Sequence, residues 1–546
     1  MQRRLMLFGL GALLIGLAGC SAPSGGGGAA GGGGPQPAAD QPKRGGVLNL
    51  TVKTDPFDWD PTIAGISLGN QESWQTAYES LVAVQLGPTI DYNDIRLVPG
   101  IAEKWEISPD AQTYTFRIRK GVKFANLPPV NGRELTAADV KFSYEYSSRT
   151  GQFKDTKLPP GKFVQFFEGM DRIDTPDPST VVVHFARPFA PFLSNAAEFA
   201  NPIMPREIYD QDGNFSKRII GTGAFQLDEK ATQKGSVFTF KKNENYWDTG
   251  KPYLDEVRRL VLPDEGTITA AFSTKQLDIR EFNAETPEQA KARYATATVY
   301  PFTAPGGTIL YMNERRPPLN DIRVRKAMAL GMNHDEFAKV LNGGQAGYAM
   351  AGVFAGYFTE DEMKQYVKYD PEQAKKLLAD AGFGNGLEME HFFPGPAFGD
   401  VYTNGVQLFQ AQMKKIGINI TLKSFDLADY LSRTRGNTYD LTLRPLSTGI
   451  DVDSFLFGSF HPSSGRNYNG VDDPKLTAMI DAQRQEADPV KRRALIKQAS
   501  VYITENALGL MAYGAVQWQA WQSYVQNYRP NAARQLVPVA ATWLNK

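Results

Sequence analysis

Val406-Gln407-Leu408-Phe409-Gln410-Ala411-Gln412-Met413-Lys414-Lys415-Ile416-Gly417-Ile418-Asn419-Ile420-Thr421-Leu422 holds two hydrophobic periods back to back. Val406, Phe409, Met413 and Ile416 fall three or four residues apart, the spacing of one face of a helix. Gly417 supplies a stop, because glycine enters the left-handed conformation that ends helices without a Cβ penalty. Ile418, Ile420 and Leu422 then alternate with polar residues, the period of a half-buried strand. A helix that passes into a strand across one glycine is the unit from which α/β lobes are built.

The rest of the chain repeats this grammar. Tyr114-Thr115-Phe116-Arg117-Ile118-Arg119, Val181-Val182-Val183-His184-Phe185 and Phe238-Thr239-Phe240-Lys241 alternate as strands do. Asp370-Pro371, Asp473-Pro474 and Asp488-Pro489 each set a capping carboxylate before a proline at the first helical position. Leu377, Leu378 and Ala381 give the first of these helices an apolar face, and Gly382 ends it. Thr136-Ala137-Ala138-Asp139 reads as a capping box. Gly and Pro punctuate the intervening segments, so the expected architecture is α/β lobes with long loops; no internal repeat is found. The chain has 546 residues, far more than one hydrophobic core supports, which predicts two or more lobes.

The N-terminus points to export. Arg3 and Arg4 precede an apolar run from Leu5 to Leu17, about the size of a signal-peptide core and too short to span a bilayer. It ends in Leu17-Ala18-Gly19-Cys20, and Cys20 is the only cysteine in the chain. A lone thiol in an exported protein has no disulfide partner, so lipid attachment on sulfur after cleavage before Cys20 is the expected role. An ordinary signal peptide that happens to contain a cysteine is the plainer alternative. Ser21 to Arg44 is rich in Gly, Ala, Ser and Pro and has almost nothing to bury. As a coil it reaches ~25–30 Å. Segment 1–19 is thus expected to be a lipoprotein signal peptide and 20–44 a lipidated tether.

The search for reactive chemistry returns little. Charge is balanced at 59 basic and 59 acidic residues, against the basic excess of a nucleic-acid surface. His184, His334, His391 and His461 are scattered, and no second cysteine exists for a thiolate metal site. No phosphate-binding loop is present, and Gly221-Thr222-Gly223 is too short to signal a nucleotide. Asp451 and Asp453 could form the carboxylate pair of a glycosidase, though at spacing two a turn or structural role is the simpler account. No catalytic residue, metal site or cofactor is therefore assigned.

From Gly45 to about Asn531 the chain resembles the family 5 extracellular solute-binding proteins of ABC importers. The resemblance rests on segments in order: Gly45-Gly46-Val47-Leu48-Asn49-Leu50, Tyr78-Glu79-Ser80-Leu81-Val82, and Leu97 to Ser108 running on through Tyr114 to Phe124. Gly221-Thr222-Gly223-Ala224-Phe225, Asn243 to Glu256, Arg323-Val324-Arg325-Lys326-Ala327 and Gln412 to Ile420 follow. The resemblance implies a two-lobed clamp of the periplasmic-binding-protein type (type II, in the large class with an extra subdomain), with ligand at the lobe interface. Its lobes would be 45–304, with the extra subdomain at about 76–200, and 305–517, with the tail 518–546 returning to the first lobe. It implies a non-enzymatic monomer, held at the outer face of the membrane or in the periplasm, that delivers a peptide or other small solute to the permease subunits of an importer.

Ligand residues follow from the same resemblance. Peptide-binding members carry a Gly-Trp-x-x-Asp-Tyr-x-Asp-Pro-like segment whose first Asp meets the ligand ammonium. Keeping Asp451 and Asp453 in register places Thr448 at that anchor and Arg444-Pro445 at Gly-Trp. A hydroxyl cannot neutralise a buried ammonium, so the peptide clamp would be absent and an oligosaccharide, an opine-like anion or a metal chelate becomes an alternative ligand. A register shifted by three would instead make Asp451 the anchor. Arg444 would grip a carboxylate or phosphate, or else pair with Asp440 at the surface. Trp59, Trp74, Trp518 and Trp521 are either ligand platforms or core; Trp59, just after the first strand, and Trp518 are the candidates retained, with Thr222 and Gly223 beside them. His461 would suit a metal chelate. A secreted hydrolase remains the alternative from another class.

Overall fold

A computed structural model describes residues 41–546 apart from 57, 64–67, 283–286, 304–306, 342, 345–347, 351–355, 446–448, 515 and 534–538. The expected signal peptide, Cys20 and most of the tether therefore lie outside the described residues, and so does Thr448.

The helix Asp400–Lys415 buries Val406, Phe409 and Met413 completely, Gly417 turns the chain at φ +91°, and Ile418–Ser424 follows as a strand. That strand lies parallel to Leu387–Phe393 along seven residue pairs. It is the edge of a five-stranded sheet that continues through Leu441–Pro445, Thr308–Met312 and Leu510–Tyr513. Leu441 and Leu443 face one hydrophobic cluster with Val406 and Phe409; Ile309 and Tyr311 face another with Leu456 and Ile496. A sheet with parallel strands needs both faces covered, and this one has them. The helices that cover it begin where the sequence marks them. Asp370, Asp473 and Asp488 each accept backbone N–H groups of the first turn, ahead of a proline.

The other lobe is organised around Val47–Val52, Glu256–Val261, Val237–Lys242 and Phe225–Leu227, a four-stranded sheet in that order. A second sheet, antiparallel throughout, runs Ala102–Ile107, Thr113–Ile118, Thr180–Phe185, Met170–Asp177. Beside it packs the helix Ala137–Ser148, opened by the Thr136/Asp139 capping box. Leu48, Phe116, Phe192 and Val257 share one cluster, joined by Val525, Tyr528 and Leu544 from the chain's last stretch. Arg259 is fully enclosed here and held by Glu72 at 2.6 Å.

A small sheet of Ile279–Phe282, Val516–Gln522 and Ala297–Thr303 has a cluster of its own. Ala297–Thr303 leads on to Thr308–Met312, and Leu510–Tyr513 leads back into Val516–Gln522, so the chain crosses between the lobes twice. Its described ends meet on one lobe. A Cβ at Gly46 would stand 3.2 Å from Leu544 Cδ1, and Lys546 Nζ lies 3.7 Å from Asp278. Among the described residues no helix is long and apolar enough to cross a membrane.

Candidate ligand cleft

Leu441–Pro445 is the middle strand of the five-stranded sheet, and ligands of α/β sheets gather beyond strand carboxyl ends. Leu441 and Leu443 turn to one face, so Thr442 and Arg444 turn to the other. There the Arg444 guanidinium lies 4.8 Å from the ring of Tyr468 and 6.0 Å from that of Tyr430. Tyr430 is itself fixed by its hydroxyl, 2.9 Å from Thr442 Oγ1. Burial alone would lower the Arg444 pKa, but Tyr430, Tyr311 and Tyr468 more than offset it and hold it above the usual value. The surface pairing expected with Asp440 does not form; Asp440 pairs with Arg316 at 3.1 Å. Among the described residues no carboxylate stands within ion-pair distance of Arg444. An enclosed guanidinium lined by rings, at the end of a central strand, is equipped to receive a carboxylate.

Beyond residues 446–448 the chain reaches across to the other lobe. The Ile450 N–H donates to Glu198 Oε1, and a Cβ on Gly449 would come within 2.5 Å of the same oxygen, so a larger residue there would have to displace that carboxylate. Asp451 is gripped by both terminal nitrogens of Arg492, at 2.6 and 2.8 Å. Burial raises the Asp451 carboxyl, and Arg492 more than reverses this, leaving it below its usual value. Asp453 accepts from Gln483 Nε2 at 2.6 Å and lies 3.2 Å from Arg484 Nε. Burial dominates there and pushes its carboxyl up to about 6. Asp451 and Asp453 are thus engaged by Arg492, Gln483 and Arg484 of their own lobe, and Asp451 is also hydrogen-bonded by Ser194 of the other.

The remaining candidates fall elsewhere. Trp59 packs edge-on against Phe238, ring centres 6.2 Å apart, and its backbone N–H donates to the Ser216 carbonyl. Thr222 is buried and donates to Glu79 Oε2 at 2.8 Å, a carboxylate also held by Tyr246 and Trp247. Gly223 presses so close to the Ala77 carbonyl that a Cβ would sit 2.6 Å from its oxygen. Gly223 and Glu79 border a hollow of ≈ 350 Å³ within the first lobe. Trp518 is 1% exposed and belongs to the small cluster with Phe282 and Tyr294. His461 stacks on Phe457 and lies 3.6 Å from Asp481. No group of His, Cys, Asp and Glu among the described residues is arranged to hold a metal ion. Arg444 and Asp451 are close in sequence and flank the same loop; Trp59, Thr222, Gly223 and Trp518 do not join them in a contact. Sequence reasoning passed over Glu198, Arg484 and Arg492, whose charged or cross-lobe partners lie 30 or more residues away with no local pattern to mark them.

The model of the bacterial extracellular solute-binding proteins, family 5, matches residues 96–467. The chain belongs to this family. It is 29% identical over 482 residues to the dipeptide-binding protein of Escherichia coli (strain K12), covering 83% of this chain and 86% of that one. A periplasmic binding protein of Helicobacter pylori, associated with an ABC transporter and solved with the peptide STSA, superposes with a TM-score of 0.77. It is 23% identical and covers 92% of this chain and 99% of its own. A periplasmic binding protein of A. tumefaciens R10 in complex with agropinic acid gives a TM-score of 0.76 at 22% identity, covering 92% and 99%. The fold of this family 5 protein is accordingly the two-lobed clamp, and its family is one of extracytoplasmic solute binders rather than enzymes.

Proposed function

We propose that this family 5 protein is a monomeric, lipid-anchored binding protein that captures a peptide and hands it to the permease subunits of an ABC importer. The observation that carries the ligand half is Arg444, a guanidinium among tyrosines without an acidic partner among the described residues. It would take the ligand's carboxylate. The dipeptide- and peptide-binding relatives favour a peptide as the bearer of that group. A second reading, an opine-like anion or metal chelate, is favoured by Thr448 at the place of the usual acidic anchor and by the agropinic-acid-binding neighbour.

The lobes would be 45–304 with the tail 518–546, and 305–517. The division is supported by hydrophobic clusters that keep Leu310 and Leu443 apart from Leu48 and Leu544. Closing such lobes on a ligand buries it and creates a surface that a permease can read, and a ligand shifts closure only by its preference for the closed form. Cys20 would carry the lipid, consistent with the apolar Leu5 to Leu17 run before it.

The test is a thermal-shift screen with di- to octapeptides, the same peptides amidated at the C-terminus, opine-like anions, oligosaccharides and nickel chelates. A ligand at 100 times its Kd stabilises by about 2.7 kcal/mol. Free-acid peptides should raise Tm, amidated ones should not, and Arg444→Met should erase the difference. A rise with oligosaccharides alone, or equal rises for acid and amide, would overturn the assignment of Arg444.

A further inference from the structure

Arg484 belongs to the helix Pro474–Gln485, whose Leu476 and Ile480 are rooted in the second lobe's core. Its side chain crosses out of that lobe. Nη1 donates to Glu168 Oε2 at 2.9 Å, and Nε lies 3.2 Å from Asp453 Oδ1. The guanidinium carbon stands 4.0 Å from the ring centre of Phe457 and 4.9 Å from that of Phe189. Phe457 is core of the second lobe and Phe189 core of the first. The backbone repeats the crossing, since the Ala190 N–H donates to the Arg484 carbonyl at 2.7 Å. One flat cation, 5% exposed, therefore has an aromatic ring and a carboxylate from each lobe. Arginine suits such a place, because its planar fork hydrogen-bonds at the edge while its faces stack. None of these contacts includes Arg444, and all of the cross-lobe ones are lost when the lobes part.

We propose that Arg484 is a cross-lobe clasp, a positioning residue that sets how much of the clamp is closed and thereby how long a ligand is retained. Glu168 is kept in place for it by Arg187 at 2.7 Å, on the first lobe. Separating the lobes would leave Arg484 with only Asp453 and Phe457 and uncover Phe189. Ligand affinity is linked to this contact because every closed state that holds a ligand also holds the clasp.

The experiment needs no ligand, so its outcome is independent of the peptide reading. Spin labels are placed through Lys154→Cys on the first lobe and Lys491→Cys on the second, both exposed, in the full chain carrying Cys20→Ser. Distances between them are measured by double electron–electron resonance. The unsubstituted clasp should give a dominant short distance. Glu168→Gln, at a partly exposed site where the fold is not at risk, should raise the long-distance population about fivefold or more. Arg484→Lys should fall between Glu168→Gln and Arg484→Ala, and the double variant Glu168→Gln/Arg484→Ala should open no further than Arg484→Ala. Identical distance distributions in all variants, a single long distance with the clasp intact, or strictly additive opening would each overturn the proposal.

Discussion

Replacing Asp451 by Asn should cost the protein stability rather than ligand. The Asp451 and Arg492 side chains are only 7% and 14% exposed, and two short contacts join them. With the carboxylate gone, Arg492 keeps Gln483, whose Oε1 lies 3.0 Å away, but no full counter-charge at that distance. Removing one partner of a buried pair typically costs about 3–5 kcal/mol. Asn preserves volume and one accepting oxygen, which places the change near the lower end. For a cooperative unit of about 200 residues, 3 kcal/mol lowers Tm by about 6–12 °C. The assay is thermal and urea denaturation at pH 7 of the wild type, Asp451→Asn, Arg492→Met and the double variant, which should lose less than the sum of the singles. Because the Asp451 carboxyl sits below its ordinary 3.8 in the fold, its contribution is present above that pH and lost as pH falls through the folded value. The gap between wild type and Asp451→Asn should therefore close below about pH 4. A variant that melts within a degree of wild type but no longer responds to peptides would refute this reasoning. It would make Asp451 the ligand's ammonium anchor, the outcome of shifting the register by three.

Two further substitutions probe the first lobe and its neighbouring small sheet. Glu281 is pushed up to about 7, chiefly by burial, with Lys53 opposing and Glu265 adding. The folded chain thus holds that proton more tightly than the unfolded one, and stability falls as pH rises from about 4.5 to 7. After discounting for partial exposure, Glu281→Gln should gain about 1–2 kcal/mol at pH 8 and nothing at pH 4, read by urea denaturation. Gly223→Ala forces a methyl against the Ala77 backbone and should cost about 1–3 kcal/mol, seen as a lower Tm with ligand affinity per folded molecule unchanged.

What was legible in the sequence was local. The Val406–Leu422 stretch shows its helix, turn and strand because each period is complete within a few residues, and every expected Asp-Pro cap forms. Pairings made by tertiary folding were not legible. Asp440 and Arg444 stand four apart and invite an ion pair, yet Arg316, 124 residues upstream, takes Asp440. Arg484 and Glu168 are 316 residues apart, and nothing in either neighbourhood announces the other. Tryptophans mislead for another reason. A large ring serves a ligand platform or a core equally well, and only enclosure, as at Trp518, separates the two.

The meeting of Gly46 with Leu544 has a practical consequence for anyone building a reporter from this clamp. Fluorophores attached beside Gly46 and Leu544 would ride together on one body, and energy transfer between them would stay constant through a full cycle of capture and release. The same geometry shields the jaws from mechanical load, since tension applied between these two positions would pull on the base and leave the moving jaw slack. A working sensor needs one dye on the base and the other inserted in the second lobe, for example at the exposed Lys491.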